Sequence, residues 1–507
     1  MTKRLSEILS DMSCRVIGDA EKVEISSIVY DSREVQAGSL FVCIRGATKD
    51  AHHFIPEVIK NGAKVLLIQG DQDVFEESSL VAFSVTNDVV FVVCENTRLA
   101  LAKISDAYYD YPSRLMQLLG VTGTKGKTTT TFILHEILSA ADPKVGLIGT
   151  VYNIVDGVRI KASRTTPEAN ELQYFFRRIA DSGARSCVIE VSSLGLAYDR
   201  VADCHFFAGA FTNLFHDHIS NSEHKDMEDY LNAKLRLFDR CEHAVVNLDT
   251  EVSEVVINRA SASCRVWTYG LTDEANCVAS EIRSKRKRGV SGTQFHVKSP
   301  WYEGEVFLSL PGRFNIYNAL CAICISGLMG IPFEQVKQGL LDVSVPGRMQ
   351  AVPNDLDLSV YVDYAHNAGS LETVLKMLKE YAKGRVIAVF GCGGNRSTTR
   401  RFEMGEVSGR YSDITVVTSD NPRDEAPELI IKDILEGVRT TQGQYVVEED
   451  RTLAIRAAIR MAGPDDVVLI AGKGHEDYQI FGDKRIHFDD VEVARAELSA
   501  LERDREK

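Results

Sequence analysis

Nowhere in the chain do eighteen or more apolar residues follow one another, so nothing in it reads as a membrane-spanning helix. Residues 1–6 have no apolar stretch behind them, and no secretory leader is expected. Basic residues are in short supply: 58 Lys and Arg stand against 72 Asp and Glu, a net charge of −14. That balance argues against nonspecific nucleic-acid binding, which needs a broad cationic surface. The one dense basic run, Lys285-Arg286-Lys287-Arg288, precedes the turn Gly289-Val290-Ser291-Gly292 and reads as a solvated loop tip. Paired cysteines are lacking too. The 11 cysteines are scattered through mostly apolar segments, which suits reduced, buried thiols rather than disulfides. Cys321 and Cys324 are spaced C-x-x-C, but no second pair stands near, and the helical run 317–329 makes them core residues. A soluble, cytoplasmic protein is the expectation, as a monomer.

What is present is a long globular chain. Its 507 residues exceed one ordinary core, and its composition, 44% hydrophobic and 26% charged, is that of folded α/β proteins. Three domains are expected. Residues 1–112 mix short strands (40–44, 65–68) with a helical stretch at 53–61, a small mixed α/β domain. The dipeptide Tyr111-Pro112 reads as an extended linker, because proline keeps the residue before it out of the right-handed helical region. Residues 113–345 alternate helices with continuously apolar runs at 115–121, 145–148, 187–191, 207–211 and 244–248, the mark of parallel strands buried on both faces. The more alternating stretch 293–310 predicts an antiparallel hairpin. Residues 346–507 repeat the strand–helix rhythm, with strands at 359–362, 386–390, 414–418 and 467–470. This predicts a second, doubly wound, Rossmann-like sheet, and ligands in such folds collect at the carboxyl ends of strands.

The segment Gly120-Val121-Thr122-Gly123-Thr124-Lys125-Gly126-Lys127-Thr128 follows a strand and opens a helix. Its glycines let backbone N–H groups approach a phosphate, Lys127 supplies a point charge, and Thr128 can reach Mg²⁺. Strict Walker spacing asks for glycine at 121, where this chain has valine. A plain glycine turn would not require the Gly-Lys-Thr ending. Glu190 ends a buried strand, where a carboxylate is costly without a partner; a Mg²⁺ role competes with helix capping by the serines beside it. His218 and Lys234 stand further on, each a weak signal alone.

These segments occur in company with Asp31-Ser32-Arg33, Thr165-Thr166-Pro167, Asn232-Ala233-Lys234, Leu310-Pro311-Gly312, Tyr317-Asn318-Ala319 and Pro346-Gly347-Arg348. Asp363-Tyr364-Ala365-His366, Asp420-Asn421-Pro422-Arg423 and Gly472-Lys473-Gly474-His475-Glu476 complete the series. In this order they resemble the Mur ligase family, over nearly the whole chain. The resemblance implies an ATP-dependent amide-forming ligase of peptidoglycan precursor synthesis. The D-Glu side-chain carboxylate of UDP-MurNAc-L-Ala-D-Glu would be phosphorylated, and the acyl phosphate attacked by an amine, with release of ADP and phosphate.

The resemblance also implies roles. Gly123, Thr124, Lys125, Gly126, Lys127, Thr128 and Thr129 would bind ATP, with Asn318, Arg348 and Asp363, and Lys127 and Arg348 would offset the charge on the transferred phosphoryl group. Thr128 and Glu190 would hold one Mg²⁺, and His218 with Lys234 as its carbamate a second. A bare ammonium is a poor ligand for a hard cation, whereas a carbamate offers anionic oxygen. Ser32 and Arg33 would contact the uridine nucleotide, and Thr165, Thr166, Ser192 and Arg200 the muramoyl dipeptide. Arg401, Asp420, Asn421, Pro422, Arg423, Gly472 and Glu476 would bind the amino acid. The Asp-Asn-Pro-Arg pattern is associated with meso-diaminopimelate, whose distal carboxylate Arg423 can pair bidentately while Glu476 accepts from the ammonium. Lysine or ornithine as the amine, a folylpolyglutamate synthetase-like ligase and a non-catalytic nucleotide switch stand as alternatives. The family often has asparagine at Lys125, histidine at Leu194 and aspartate at Ser220 and Asn395. Residues 219–226 are two longer than its usual pattern.

Overall fold

The computed structural model describes residues 2–46, 49–70, 77–220 and 223–505. Asn221 and Ser222, inside the lengthened segment 219–226, lie outside the described residues. The chain divides into two compact units, residues 1–131 with 142–269 and residues 132–141 with 270–507.

The first unit carries a five-stranded sheet in the order Arg15–Ile17, Val90–Cys94, Val65–Gln69, Ser39–Val42, Ser27–Val29, parallel except for its first pair. Side chains alternate across it, Leu40, Val65 and Val92 packing into one core and Phe41, Leu66 and Phe91 into the other. Its other sheet is centred on β1 (Gln117–Thr122), flanked by β2 (Ser186–Glu190) and β3 (Phe206–Phe211), both parallel to it. Every residue of β2 is buried, which is what continuous apolarity predicts for a strand covered on both faces. The pairings Glu190 with Val121 and Phe211 with Thr122 align three carboxyl ends. There the chain leaves β1 and turns into α1 (Lys127–Ser139). The carboxyl ends of such parallel strands are the usual place for a ligand.

The second unit holds three antiparallel strands, Cys277–Lys287, Val290–Lys298 and Glu303–Leu308, where alternation predicts a hairpin. Its six-stranded sheet runs Gln350–Ala351, Ser359–Asp363, Val467–Ala471, Val386–Phe390, Ile414–Val417, Gln444–Val447, parallel but for the first pair. Val360, Val362, Ile387, Val389, Val468 and Ile470 pack on one face; Tyr361, Ala388, Phe390 and Leu469 pack on the other. The α/β class with parallel sheets is as expected, and Cys321 and Cys324 are fully buried in the helix Arg313–Leu328.

Two local expectations need correction. Tyr111 is not extended but left-handed (φ 53°, ψ 52°), and Pro112 and Ser113 are buried in a short turn, not strung out as a linker. Proline disfavours only the right-handed region, and the Tyr111 N–H donates to Asp106 O at 2.8 Å, closing the end of the preceding helix. The basic run 285–288 is not wholly a solvated tip either. Arg286 donates to the carbonyls of Asn354 (2.8 Å) and Leu358 (2.9 Å), fastening the hairpin to the segment before Ser359.

Candidate functional site

In the first unit the glycine-rich loop is shaped by its backbone. Gly123 has φ +141°, and a Cβ there would lie 2.0 Å from Thr212 Oγ1, so only glycine fits. Thr124 N–H donates to Asn213 O and Lys125 N–H to Asn213 Oδ1, both at 2.9 Å, which fixes the loop on the segment after β3. Lys127 Nζ donates to the carbonyls of Gly123 (2.8 Å) and Thr124 (3.0 Å). Thr128, the second residue of α1, donates its hydroxyl to Glu190 Oε2 at 2.9 Å. Glu190 is fully buried, and its carboxylate also accepts from Thr150 N (2.8 Å) and Thr150 Oγ1 (3.0 Å). Thr150 was not anticipated; its signal is a hydroxyl residue just past the buried strand Val145–Ile148. A hydroxyl and a carboxylate side by side are hard oxygen donors, which fit Mg²⁺, an ion that completes its shell with water and phosphate. No cluster of three or more His, Cys, Asp or Glu suited to a metal occurs among the described residues.

Lys234 lies in the last turn of α2 (Met227–Leu235), 1% exposed, donating to the same Gly123 carbonyl at 2.8 Å. Its Nζ sits 4.2 Å from the Tyr230 ring centroid. Burial first, and the nearby Lys127 charge second, push its pKa well below the ordinary lysine value. A neutral amine is the form that adds carbon dioxide, so the site fits a carbamate. His218 packs on the other flank of this assembly, 5.7 Å from the Tyr230 ring, in a left-handed conformation (φ 59°). Its Nδ1 lies 3.1 Å from Glu223 Oε1; with the proton assigned to Nδ1, Nε2 keeps a lone pair for a metal. Tyr230, which gathers both residues, was not anticipated. It stands four residues before Lys234, on the same face of the helix.

Around Glu190 the structure also gathers the residues assigned to the dipeptide. Thr166 Oγ1 donates to Glu190 O (2.8 Å) and accepts from Ser192 N (3.0 Å), while Thr165 Oγ1 lies 3.1 Å from Thr150 Oγ1. Ser192 Oγ accepts from Gly195 N, so it caps the short helix Ser193–Ala197. Arg200 donates to Thr166 O and pairs with the buried Glu168 at 2.8 Å. Ser32 opens a short turn, and the Arg33 guanidinium folds back bidentately on Asp31, holding that carboxyl down at about 2.

In the second unit, Asp363 ends a strand and accepts from Met349 N (2.8 Å) and Ala365 N (2.9 Å). Burial raises its pKa, and the adjacent Arg348 opposes this. Arg348 lies 5.0 Å over the Tyr364 ring. Asn318 is buried in its helix and donates to Asn315 Oδ1 at 3.0 Å.

A cavity of about 330 Å³ opens at the carboxyl ends of the same sheet, lined by Arg396, Arg400, Arg401, Asp420, Asn421, Arg423, Gly472 and Glu476 among others. Of the residues assigned to the amino acid, only Pro422 does not line it. Its carbonyl packs instead on Gly394, where an added Cβ would lie 1.8 Å from it. Arg423 is left-handed (φ 55°), held by backbone bonds to Ile480 O and from Gly482 N, and its Nη1 donates to Gly394 O at 2.6 Å. Glu476 Oε2 accepts from Asn421 Nδ2 (2.9 Å), and the buried Lys473 Nζ lies 3.3 Å from it. Lys473 was quoted within its motif but given no role; a lysine between two glycines was the signal. Arg401 is already engaged by carboxylates of this unit. Its terminal nitrogens bond Asp433 (2.9 Å) and Glu425 (2.8 Å), and its buried Nε has no hydrogen-bond partner among the described residues. Of the departures, Asn395 bonds Asp424 and Glu425 at the cavity's edge, and the Lys125 ammonium lies 5.7 Å over Phe215.

Comparison with known proteins gives three matches to family descriptions: the Mur ligase family, catalytic domain over residues 24–109, the Mur ligase middle domain over 121–326, and the Mur ligase, glutamate ligase domain over 347–474. The chain is 42% identical over 502 residues to a UDP-N-acetylmuramoyl-L-alanyl-D-glutamate--2,6-diaminopimelate ligase of Clostridioides difficile, covering 98% of this chain and 100% of the relative. It is 43% identical to the Clostridium botulinum protein of the same name, covering 96% and 98%. A solved structure of a ligase so named aligns with TM-score 0.73 at 28% identity, covering 99% of this chain and 100% of the other.

Proposed function

The chain belongs to the Mur ligase family, and we propose on that premise that it joins meso-diaminopimelate to the D-Glu side-chain carboxylate of UDP-MurNAc-L-Ala-D-Glu, consuming ATP. The observation that carries the choice of amine is the 330 Å³ cavity, which offers arginines and Glu476 on one wall system. Diaminopimelate presents a carboxylate and an ammonium at its distal end, and such a zwitterion needs both signs. Lysine brings no carboxylate for Arg423.

The γ-phosphoryl group passes to the D-Glu carboxylate, giving ADP and an acyl phosphate; the free amine then attacks the activated carbonyl, and phosphate leaves as the amide forms. The glycine-rich loop, anchored on Asn213 through the Thr124 and Lys125 N–H groups, and the Lys127 ammonium cradle the phosphates, so catalysis is chiefly positioning and charge neutralisation. Thr128 and Glu190 would hold one Mg²⁺, and His218 with carbamylated Lys234 a second; the chemistry they would supply is offset of the phosphate and carboxylate charge. Thr165, Thr166, Ser192 and Arg200 orient the dipeptide, and Ser32 and Arg33 hold the uridine end. Asn318 and Asp363 are assigned to adenine and ribose. The division at 1–112, 113–345 and 346–507 is kept as the functional one, since each block carries its own principal sheet.

The test supplies ATP and UDP-MurNAc-L-Ala-D-Glu with diaminopimelate, lysine or ornithine in separate vessels and weighs the product. A diaminopimelate adduct is expected. An adduct with lysine or ornithine alone would overturn the choice of amine, and ATP hydrolysis that ignores both acceptor and amine would overturn the ligase.

A further inference from the structure

Behind the amine cavity lies an ion pair to which the reading above gives no role. Arg451 opens α3 (Arg451–Met461), and Asp490 opens α4 (Asp490–Arg505). Both side chains are wholly buried, joined by two parallel bonds, Nε to Oδ1 at 2.7 Å and Nη2 to Oδ2 at 2.8 Å. Two further donors of the guanidinium go to backbone: Nη2 to Ala471 O at 3.0 Å and Nη1 to Ser419 O at 3.3 Å. Those carbonyls belong to the residues directly before Gly472 and Asp420, both of which line the cavity. One planar fork therefore ties the ends of two strands to the start of the last helix.

A buried ion pair is weak support for stability, because desolvation offsets its attraction and a well-packed apolar pair does as well. Its geometry is what an apolar pair could not reproduce, since no alkyl group donates to two carbonyls. The pair also acts on charge. Burial raises the Asp420 carboxyl; Lys473 and then Arg451 pull it back, while Glu476 and Asp490 push it up. Tyr364 and Cys392 face it from the neighbouring strand ends.

We propose that Arg451, oriented by Asp490, is a positioning residue for the amine: it sets the strand ends carrying Asp420 and Gly472, and through them the affinity for the amino acid, without touching it. This rests on the diaminopimelate reading of the cavity.

The test uses the full chain and compares wild type, Arg451→Lys and the double variant Arg451→Met/Asp490→Leu, which leaves no orphaned charge. KM is measured separately for diaminopimelate, ATP and the nucleotide substrate, with the pH profile of kcat/KM for the amine. In the double variant the diaminopimelate KM should rise about tenfold or more, since small misplacements of a binding group are expensive. The other two KM values should stay within about twofold. The double variant removes both the lowering by Arg451 and the smaller raising by Asp490, so the Asp420 pKa should rise on balance and the acid limb of the amine profile should move to higher pH. Arg451→Lys keeps the charge but not the fork, so it should restore the limb and not the KM; should the double variant not fold, this single variant decides. Equal rises in all three KM values, or an unchanged amine KM, overturn the inference. Wild type is measured first: if it makes no diaminopimelate product, the proposed function falls instead, and the inference is read on whichever amine is used.

Discussion

The phosphate site and the amine cavity are built by different means. The first is centred on one contiguous loop, residues 120–128, onto which residues from other elements close: Lys127 and Lys234 share the Gly123 carbonyl, and Thr128 meets Glu190. The second has no such loop: it is assembled from side chains on several strand ends, kept in place by ion pairs such as Arg401 with Asp433 and Arg451 with Asp490. A contiguous loop concentrates chemistry in few residues, so single changes there should abolish turnover. A dispersed cavity divides recognition among many, so single changes should alter which amine is used and how tightly.

The sharpest contrast is expected from Lys127→Ala and Glu190→Ala. Each should lower kcat by roughly 10²–10³ or more, because each removes charge placed for the transferred phosphoryl group. Far-ultraviolet circular dichroism should stay at wild-type values. Near-normal turnover at saturating ATP and Mg²⁺ would erase the distinction. Lys234→Ala should likewise be inactive, and partly rescued by small carboxylic acids that supply the missing oxygens; a fully active variant would remove the carbamate from the account.

In the cavity, Arg423→Ala should cost about 2–5 kcal/mol in kcat/KM for diaminopimelate if its pair is desolvated. Lysine activity should not rise to match. Steady-state kinetics with both amines measures this. Gly394→Ala places a Cβ 1.8 Å from the Pro422 carbonyl, so the backbone that holds Arg423 through Gly394 O must shift, with about 1–3 kcal/mol of destabilisation. Thermal unfolding should show it together with a weaker amine KM and an unchanged ATP KM.

The smallest effect concerns protonation. The folded-state pKa of Lys234 is lowered, so between that value and the unfolded one near 10.5 the unfolded chain binds more protons. Stability therefore rises with pH in that window, and the penalty is fully present below it. In buffer freed of carbon dioxide, Lys234→Met should be more stable than wild type near neutrality. That advantage should shrink as pH approaches 10.5. A constant gap across the range would contradict the burial argument.

The same difference in construction governed what could be read from residues alone. Continuous apolar runs marked the buried parallel strands, and the loop at 120–128 displayed its chemistry in order. Tyr230 and Thr150 were obscure because they act on Lys234 and Glu190 through folded proximity. Arg401 could be placed at the cavity, but not its pairing with Glu425 and Asp433, which depends on how two helices and a loop meet. Tyr111 escaped because the rule for residues before proline excludes one region of backbone space and does not choose between the others.

Competition between two amines in one vessel reaches the central claim most directly. ATP, UDP-MurNAc-L-Ala-D-Glu, and equal concentrations of diaminopimelate and lysine are supplied, and the two adducts are counted by mass. A site built to bond a polar group rejects the analogue lacking it by roughly 10⁴ or more, so the diaminopimelate adduct should exceed the lysine adduct by that order. Adducts in comparable amounts would contradict the assignment of the cavity to a zwitterionic distal end.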